Sequence, residues 1–313
     1  MAAGRSPSIV IFIPYFGSWP EWADLFFETA RRNATIDFLV VTDCDAESFA
    51  GPNINIQSTS FGEYVERARS WLELPFDPPN GYKLCDLRPM IGALHERQFA
   101  GYDFYGWCDT DILFGDIRRF YSDEVLARAD VLSTHSDRIS GHFALFRNTS
   151  RNRTMYRRMY RWQQYLLQPE FVGLDEHWMT NAYLMTVFDK VNEKLQWNLD
   201  NPVTRFASAR RRRGIYLVEQ YTTPFVPYPW FDGSANSAQP HEWFYRDGRI
   251  TNSRDGDREF IYLHLMNFKS SRWRHDGTRA PWEGLDRICR ASPSDMAAGI
   301  VIDDSGIAPA ASR

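Results

Sequence analysis

The sequence predicts an α/β fold: a mixed, mainly parallel central sheet flanked by helices, with a loop-rich C-terminal portion carrying a β-hairpin. Three observations predict it. Ser8 to Pro14 (Ser-Ile-Val-Ile-Phe-Ile-Pro) is a continuous apolar run, as expected of a strand buried on both faces of a parallel sheet. An amphipathic stretch from Trp19 to Asn33 and a second apolar run, Asp37 to Thr42, complete a βαβ unit. Much later, Asp247-Gly248 between polar-aromatic flanks (Glu242 to Asn252) has the chemistry of a type I′ hairpin turn.

The remaining elements follow in order. Pro14-Tyr15-Phe16-Gly17 forms a loop at the carboxyl end of the first strand, where open α/β sheets place ligands. No Gly-x-Gly-x-x-Gly follows, so the dinucleotide fingerprint is absent. Asn53 to Ser58 reads as a weak third strand. Ser60 opens a helix to Glu73, with Glu63 in capping-box position. Tyr82 to Phe99 is helical in pattern, and Phe104 to Trp107 is an aromatic strand. Ile112-Leu113-Phe114-Gly115 reads as an apolar turn and Asp116 to Arg128 as helical. Val131 to Thr134 and Gly141 to Asn148 are strands, the second a candidate antiparallel member of a mixed sheet. Arg151 to Leu167 and Asp175 to Asn192 are helices. Pro202 to Pro240 is loop-rich, and Glu259 to Leu265 is a last apolar strand. From residue 291 the Ala, Ser, Asp, Gly and Pro content predicts a flexible tail.

Composition narrows the function classes. The chain has 313 residues, 43% hydrophobic and 24% charged, as in ordinary globular proteins. A net charge of −4 argues against a dedicated nucleic-acid binder. Arg210 to Arg213 is a local basic run: a solvated face, or a contact for anionic lipid or a phosphorylated substrate. Cys44, Cys85, Cys108 and Cys289 lack metal-site spacing and fit reduced cytosolic thiols. No apolar segment reaches the roughly 20 residues of a bilayer span. The apolar run from Ile9 ends at Pro14 without a cleavage-site pattern, which reads as a strand and not a signal peptide. These features predict a cytoplasmic protein, with room for peripheral contact at the inner face of the membrane.

The chemistry concentrates between Tyr102 and Asp116. The aromatic strand delivers Asp109 and Asp111, separated by one residue. Two carboxylates at the end of an apolar strand need compensation, and a divalent cation with hard oxygen ligands supplies it. The plainer alternative is a turn with two solvated aspartates.

In this setting the chain resembles GT-A glycosyltransferases, in particular bacterial retaining galactosyltransferase-like and mannosyltransferase-like groups. The resemblance rests on Asp109-Thr110-Asp111, on Lys83-x-x-Asp86-x-Arg88 upstream, and on Tyr262-Leu-His264-Leu-Met-Asn-Phe-Lys269 followed by Trp273. It covers about residues 8 to 285 in motif order. The spacing from His264 to Lys269 and the tight Asp86-Leu-Arg88 depart from the usual pattern, which leaves the subfamily open.

The resemblance implies a single catalytic domain over 1–290, with a nucleotide-sugar half (8–135) and an acceptor half (136–290). It implies Mn²⁺ or Mg²⁺ held by Asp109, Asp111 and His264, with Lys269 on the diphosphate. The donor is a nucleoside-diphosphate sugar, UDP-hexose favoured, and the acceptor a glycan, lipid-linked or small-molecule hydroxyl. Pro14, Tyr15 and Phe16 would lie beside the base. Lys83, Asp86, Arg88 and Asp109 belong to the nucleotide-sugar site. Asp43 reads equally as a uracil or ribose contact and as a turn residue. Arg88 reaches the diphosphate or donor sugar, or pairs with Asp86 or Asp109. Asp175 and Glu176, after Gly173, stand where a catalytic carboxylate is expected; capping the helix N-terminus is the alternative. Gly141-His142-Phe143 fits the floor beneath the sugars, and Trp230, Trp243 and Tyr245 a stacking rim or hairpin packing. Two other functions compete: a sugar nucleotidyltransferase, which wants a Gly-rich basic loop after the first strand, and a non-catalytic carbohydrate-binding protein. A phosphatase-type hydrolase would carry its acid pair on the first strand and is discounted.

Overall fold

A computed structural model describes residues 5–185, 213–220, 222–225, 240–266 and 284–312. Within them the α/β expectation holds. Strand β1 (Ile9–Tyr15), helix α1 (Ala23–Arg32) and strand β2 (Ile36–Thr42) form the opening βαβ unit. β3 (Ile54–Ser58) follows, then α2 (Phe61–Leu72), whose Ser60 and Glu63 make the expected reciprocal cap. β4 (Phe104–Cys108) is buried along its whole length.

The seven-stranded sheet has the order β3-β2-β1-β4-β7-β6-β8, completed by β6 (Val131–Ser133), β7 (Phe143–Arg147) and β8 (Ile215–Leu217). The first four strands run parallel, and β7 runs antiparallel to both β4 and β6. Alternation along the strands divides the core by face. Val10, Phe12, Tyr105 and Trp107 enter one cluster, whereas Ile9, Ile11, Ile13, Phe104 and Cys108 enter the other. Pro14 is tolerated inside β1 because the pairing with β4 ends at Phe12 and Trp107. Gly106 in β4 is required by packing: a Cβ there would stand 2.2 Å from the Ala144 carbonyl oxygen of β7.

Several elements depart from expectation. Gly81–Met90 is 3₁₀-helical and passes into a short α3 (Ile91–Leu94), in place of one helix to Phe99. Pro89 has no N–H for an α-helical ladder. The apolar stretch after Asp111 is a strand and not a turn: β5 (Ile112–Phe114) pairs antiparallel with β11 (Tyr262–His264). α4 (Ile117–Phe120) and α5 (Asp123–Arg128) are separate short helices, each with its own side-chain cap, Asp116 and Ser122. The helix expected over 151–167 is broken into α6 (Ser150–Arg153), a 3₁₀ turn and α7 (Trp162–Leu166). Arg161 at φ +50° resets the chain direction between the pieces.

Asp175 lies in a π-helical turn, Leu174–Trp178, that continues as α8 (Met179–Leu184). The hairpin is β9 (Trp243–Arg246) and β10 (Arg249–Asn252), with Asp247 and Gly248 both at positive φ, as a type I′ turn requires. The flexible tail expected from residue 291 is corrected. β12 (Ile300–Asp303) and β13 (Gly306–Pro309) join the hairpin in the order β10-β9-β12-β13. Ile300, Ile302 and Ile307 bury against Trp243 and Tyr245, so a few apolar residues offset the loop-like composition. Trp243 and Tyr245 are therefore packing residues of this hairpin and not an exposed rim.

Candidate active site

The candidate site forms at the carboxyl ends of the parallel strands, where β1 has β2 on one side and β4 on the other. In open α/β sheets such a switch in strand order leaves a crevice for ligand. β4 ends at Cys108 and delivers Asp109 and Asp111. The backbone holds this corner: Asp109 N–H donates to the His142 carbonyl (2.9 Å), Leu265 N–H to the Asp111 carbonyl (2.6 Å) and Trp22 Nε1–H to the Thr110 carbonyl (3.2 Å).

His264 arrives from β11, aligned opposite Ile112 of β5. Its Nε2 is 3.3 Å from an Asp111 carboxylate oxygen and 3.9 Å from one of Asp109. One ligand atom from each of Asp109, Asp111 and His264 lies within 4.8 Å of the others. Asp111 is 0% exposed and His264 3%, so the reading of Asp-x-Asp as a solvated turn does not hold. Two oxygens and one imidazole nitrogen, two of the three groups buried, fit a divalent cation. Nδ1 of His264 is engaged by the Thr223 hydroxyl at 3.1 Å, which leaves Nε2 on the carboxylate side. The His142 ring stacks on His264, centroids 4.1 Å apart and 18° from parallel. Burial, followed by repulsion from His264 and His135, holds the His142 pKa well below its usual range.

Arg88 joins the two carboxylate groups. One guanidinium nitrogen pairs with Asp109; the other donates to Asp175 at 3.0 Å and to the Gly141 carbonyl at 2.6 Å. Asp175 is 1% exposed, and its second oxygen has no hydrogen-bond partner among the described residues. Gly141 permits this approach: a Cβ there would lie 3.2 Å from the carboxylate. Burial pushes the Asp175 pKa up to about 7, against the pull of Arg88 and with the repulsion of Asp86 and Asp109. The folded chain therefore holds this proton more tightly than the unfolded chain does. Stability from this group is present at low pH and declines as pH rises from the ordinary carboxylate range to about 7. The expected slope is at most about 1.4 kcal/mol per pH unit, the limit for one proton. Asp175→Asn should flatten that part of a pH series of denaturation curves; an unchanged slope would rule the origin out.

The other expected site residues divide. Asp43 accepts a hydrogen bond from Gly17 N–H at 2.9 Å and so fixes the loop after β1, combining its turn role with a place at the crevice. Tyr15 stacks on Trp19 (4.5 Å, 7°), and Phe16 packs against Phe61 and Tyr64. Pro14, Tyr15 and Phe16 are all half-buried at the edge.

Lys83 and Asp86 are interior, 2% and 0% exposed, and pair with each other at 2.8 Å. Lys83 also donates to the Tyr165 and Glu170 carbonyls, while Asp86 accepts from Val172 and Leu174 N–H. Their expected ligand role is corrected to a supporting one: they anchor the loop that delivers Asp175. Glu176 accepts a hydrogen bond from Arg138 Nε–H at 2.8 Å. Lys269, Trp273 and Trp230 lie outside the described residues, as do residues 210–212 of the basic run.

Sequence reasoning missed the link from Arg88 to Asp175, the His142 stack and Tyr82. Tyr82 is 43% exposed, and burial of its hydroxyl, with repulsion from Cys85, Asp109 and Asp175, raises its pKa. Its place beside Lys83 in the upstream motif was the available signal.

The model of a family described as "Family of unknown function (DUF6625)" matches residues 11–280. No curated protein matches the chain. Among solved structures, the chain is similar to galactosyltransferase LgtC in complex with donor and acceptor sugar analogs (12% identity, TM-score 0.35, 74% of this chain and 92% of that one). It is also similar to mouse xyloside xylosyltransferase 1 in its apo form (8% identity, TM-score 0.32, 73% of this chain and 90% of that one). Among the described residues no helix is long and apolar enough to cross a membrane.

Proposed function

The chain belongs to this family of unknown function, so any activity has to be read from the site, and we propose that it is a metal-dependent glycosyltransferase. The reading is transfer of a hexose from a nucleoside-diphosphate sugar, UDP favoured, to a hydroxyl acceptor. The observation that carries it is the gathering of Asp109, Asp111 and His264, from distant parts of the chain, at the crevice beside the loop after β1. This agrees with the resemblance of the sequence to GT-A glycosyltransferases.

Asp109, Asp111 and His264 would hold Mn²⁺ or Mg²⁺, which when bound supplies Lewis-acid neutralisation of a departing diphosphate. Asp43 and the loop from Pro14 to Gly17 border the place assigned to the nucleotide. Lys269 keeps its assignment to the diphosphate. Arg88 holds the Asp109 and Asp175 carboxylates in fixed relation, so that the donor and acceptor sides share one positioned cation. Asp175 is the carboxylate assigned to the acceptor: its oxygen with no hydrogen-bond partner among the described residues accepts a hydroxyl hydrogen bond or takes the proton.

The test is thermal denaturation with UDP-glucose or UDP-galactose, with and without Mn²⁺, paired with an assay for UDP release. A UDP-sugar at about 100 times its dissociation constant should stabilise the fold by about 2.7 kcal/mol, and only with the metal. Stabilisation that ignores Mn²⁺, or metal-independent UDP release, would overturn this reading.

A further inference from the structure

A segment next to the candidate site carries charge and exposed rings that the proposed reaction does not use. Residues 149–169 contain five arginines, Arg151, Arg153, Arg157, Arg158 and Arg161, and no Asp or Glu. With −4 on the whole chain and +5 on this segment, the remainder carries −9, so the positive charge is a local feature. Among the described residues only Arg153 of the five has a carboxylate partner, Glu96 at 2.8 Å. The other four are exposed.

Apolar exposure coincides with the charge. Tyr160 is 58% exposed and Leu167 38%, two of the few large apolar side chains left open among the described residues. Tyr82, 43% exposed, packs on Phe171 just beyond the segment, with ring centroids 5.0 Å apart. The backbone break at Arg161 explains the presentation. Met155, Tyr156 and Met159 anchor the inner side, and the turn leaves Tyr160 outward with the Arg161 guanidinium over its ring at 5.0 Å.

We propose that residues 149–169 are a docking surface for a bilayer carrying anionic phospholipid headgroups. Arginines meet the phosphates, while an amphipathic tyrosine and a leucine enter the boundary between headgroups and chains. A nucleic acid would satisfy the arginines but give Leu167 no apolar partner, so the bilayer fits both sets of side chains. The segment leads directly into the loop held by Asp86, and the Tyr165 ring packs at a tilt on Trp178 (4.4 Å) in the turn that carries Asp175. Docking there brings the acceptor side of the site next to the lipid surface. The proposal rests on surface chemistry and stands or falls separately from glycosyl transfer.

The test is co-sedimentation of the full chain with vesicles of phosphatidylcholine alone and with about a quarter phosphatidylglycerol. Binding is expected only to the anionic vesicles at low salt and is lost at high salt (~0.5 M). Arg158→Glu/Arg161→Glu should weaken partitioning at least about tenfold, since each cation near the surface contributes roughly fivefold. Tyr160→Ala/Leu167→Ser should weaken it about threefold or more at unchanged charge. Circular dichroism spectra and denaturation midpoints of both variants should match the parent chain. Binding equal with neutral vesicles, no binding to anionic ones, or a charge-reversed variant that binds undiminished would overturn the proposal. Tight binding to duplex DNA with no effect of Tyr160→Ala/Leu167→Ser would overturn it as well, in favour of a polyanion site.

Discussion

Replacing Asp111 by Asn should abolish metal-dependent turnover, with a loss of about three orders of magnitude or more. Asp111 is 0% exposed and sits 3.3 Å from His264 Nε2, so of the residues proposed to hold the cation it is the one least able to be replaced by water. Loss of a cation that stabilises a departing diphosphate is worth several kcal/mol, and about 1.4 kcal/mol corresponds to a factor of ten in rate. The metal-free variant should be as stable as the parent, because the amide removes one of two neighbouring negative charges and keeps the shape. Its denaturation midpoint should no longer respond to Mn²⁺. A variant that keeps the Mn²⁺-dependent shift would place the cation elsewhere.

Arg88→Met should be the most destabilising single change at the site, by about 3–5 kcal/mol. Arg88 is 7% exposed and faces two carboxylates, Asp109 and Asp175, which without it are left close together with no shared cation. The expected fall in denaturation midpoint is on the order of 5–15 °C. Adding Asp175→Asn to Arg88→Met should recover part of that loss on the alkaline side of pH 7, where Asp175 would otherwise ionise beside Asp109, and little of it at lower pH, where burial already keeps Asp175 protonated. A loss below about 1 kcal/mol, or a double variant no better than the single one at alkaline pH, would show that Arg88 does not hold these groups together.

Much of the fold was legible because its signals are local and repeated. The apolar run of β1, the Ser60–Glu63 cap and the Asp247-Gly248 turn each need only a few neighbouring residues to specify them. What sequence obscured depends on distant partners. Ile112-Leu113-Phe114 is too short to announce a strand, and it becomes one because Tyr262 to His264 pairs with it. β12 (Ile-Val-Ile-Asp) and β13 (Gly-Ile-Ala-Pro) are short apolar runs set in Ala, Ser, Asp and Gly, too short to outweigh that composition, and gain their order from Trp243 and Tyr245.

The candidate site divides the same way. Asp109 and Asp111 were visible as chemistry misplaced at the end of an aromatic strand. Lys83 and Asp86 belonged to the motif by type, but whether such a pair meets a ligand or its own backbone depends on the loop from Glu170 to Leu174, 87 and 88 residues from its partners in sequence. The His142 ring had no distinguishing spacing at all; it matters because it precedes β7, next to β4, and stacks on His264 of β11.

The pairing of β5 with β11 also sets the order of events as the chain is synthesised. The two aspartates leave the ribosome more than 150 residues before the imidazole that stands with them, as the positions Asp111 and His264 show. A nascent chain that ends short of this histidine has only two of the three ligands. If the cluster holds a cation, tight capture would therefore wait for the strand that carries His264, and would report that this strand has reached its place.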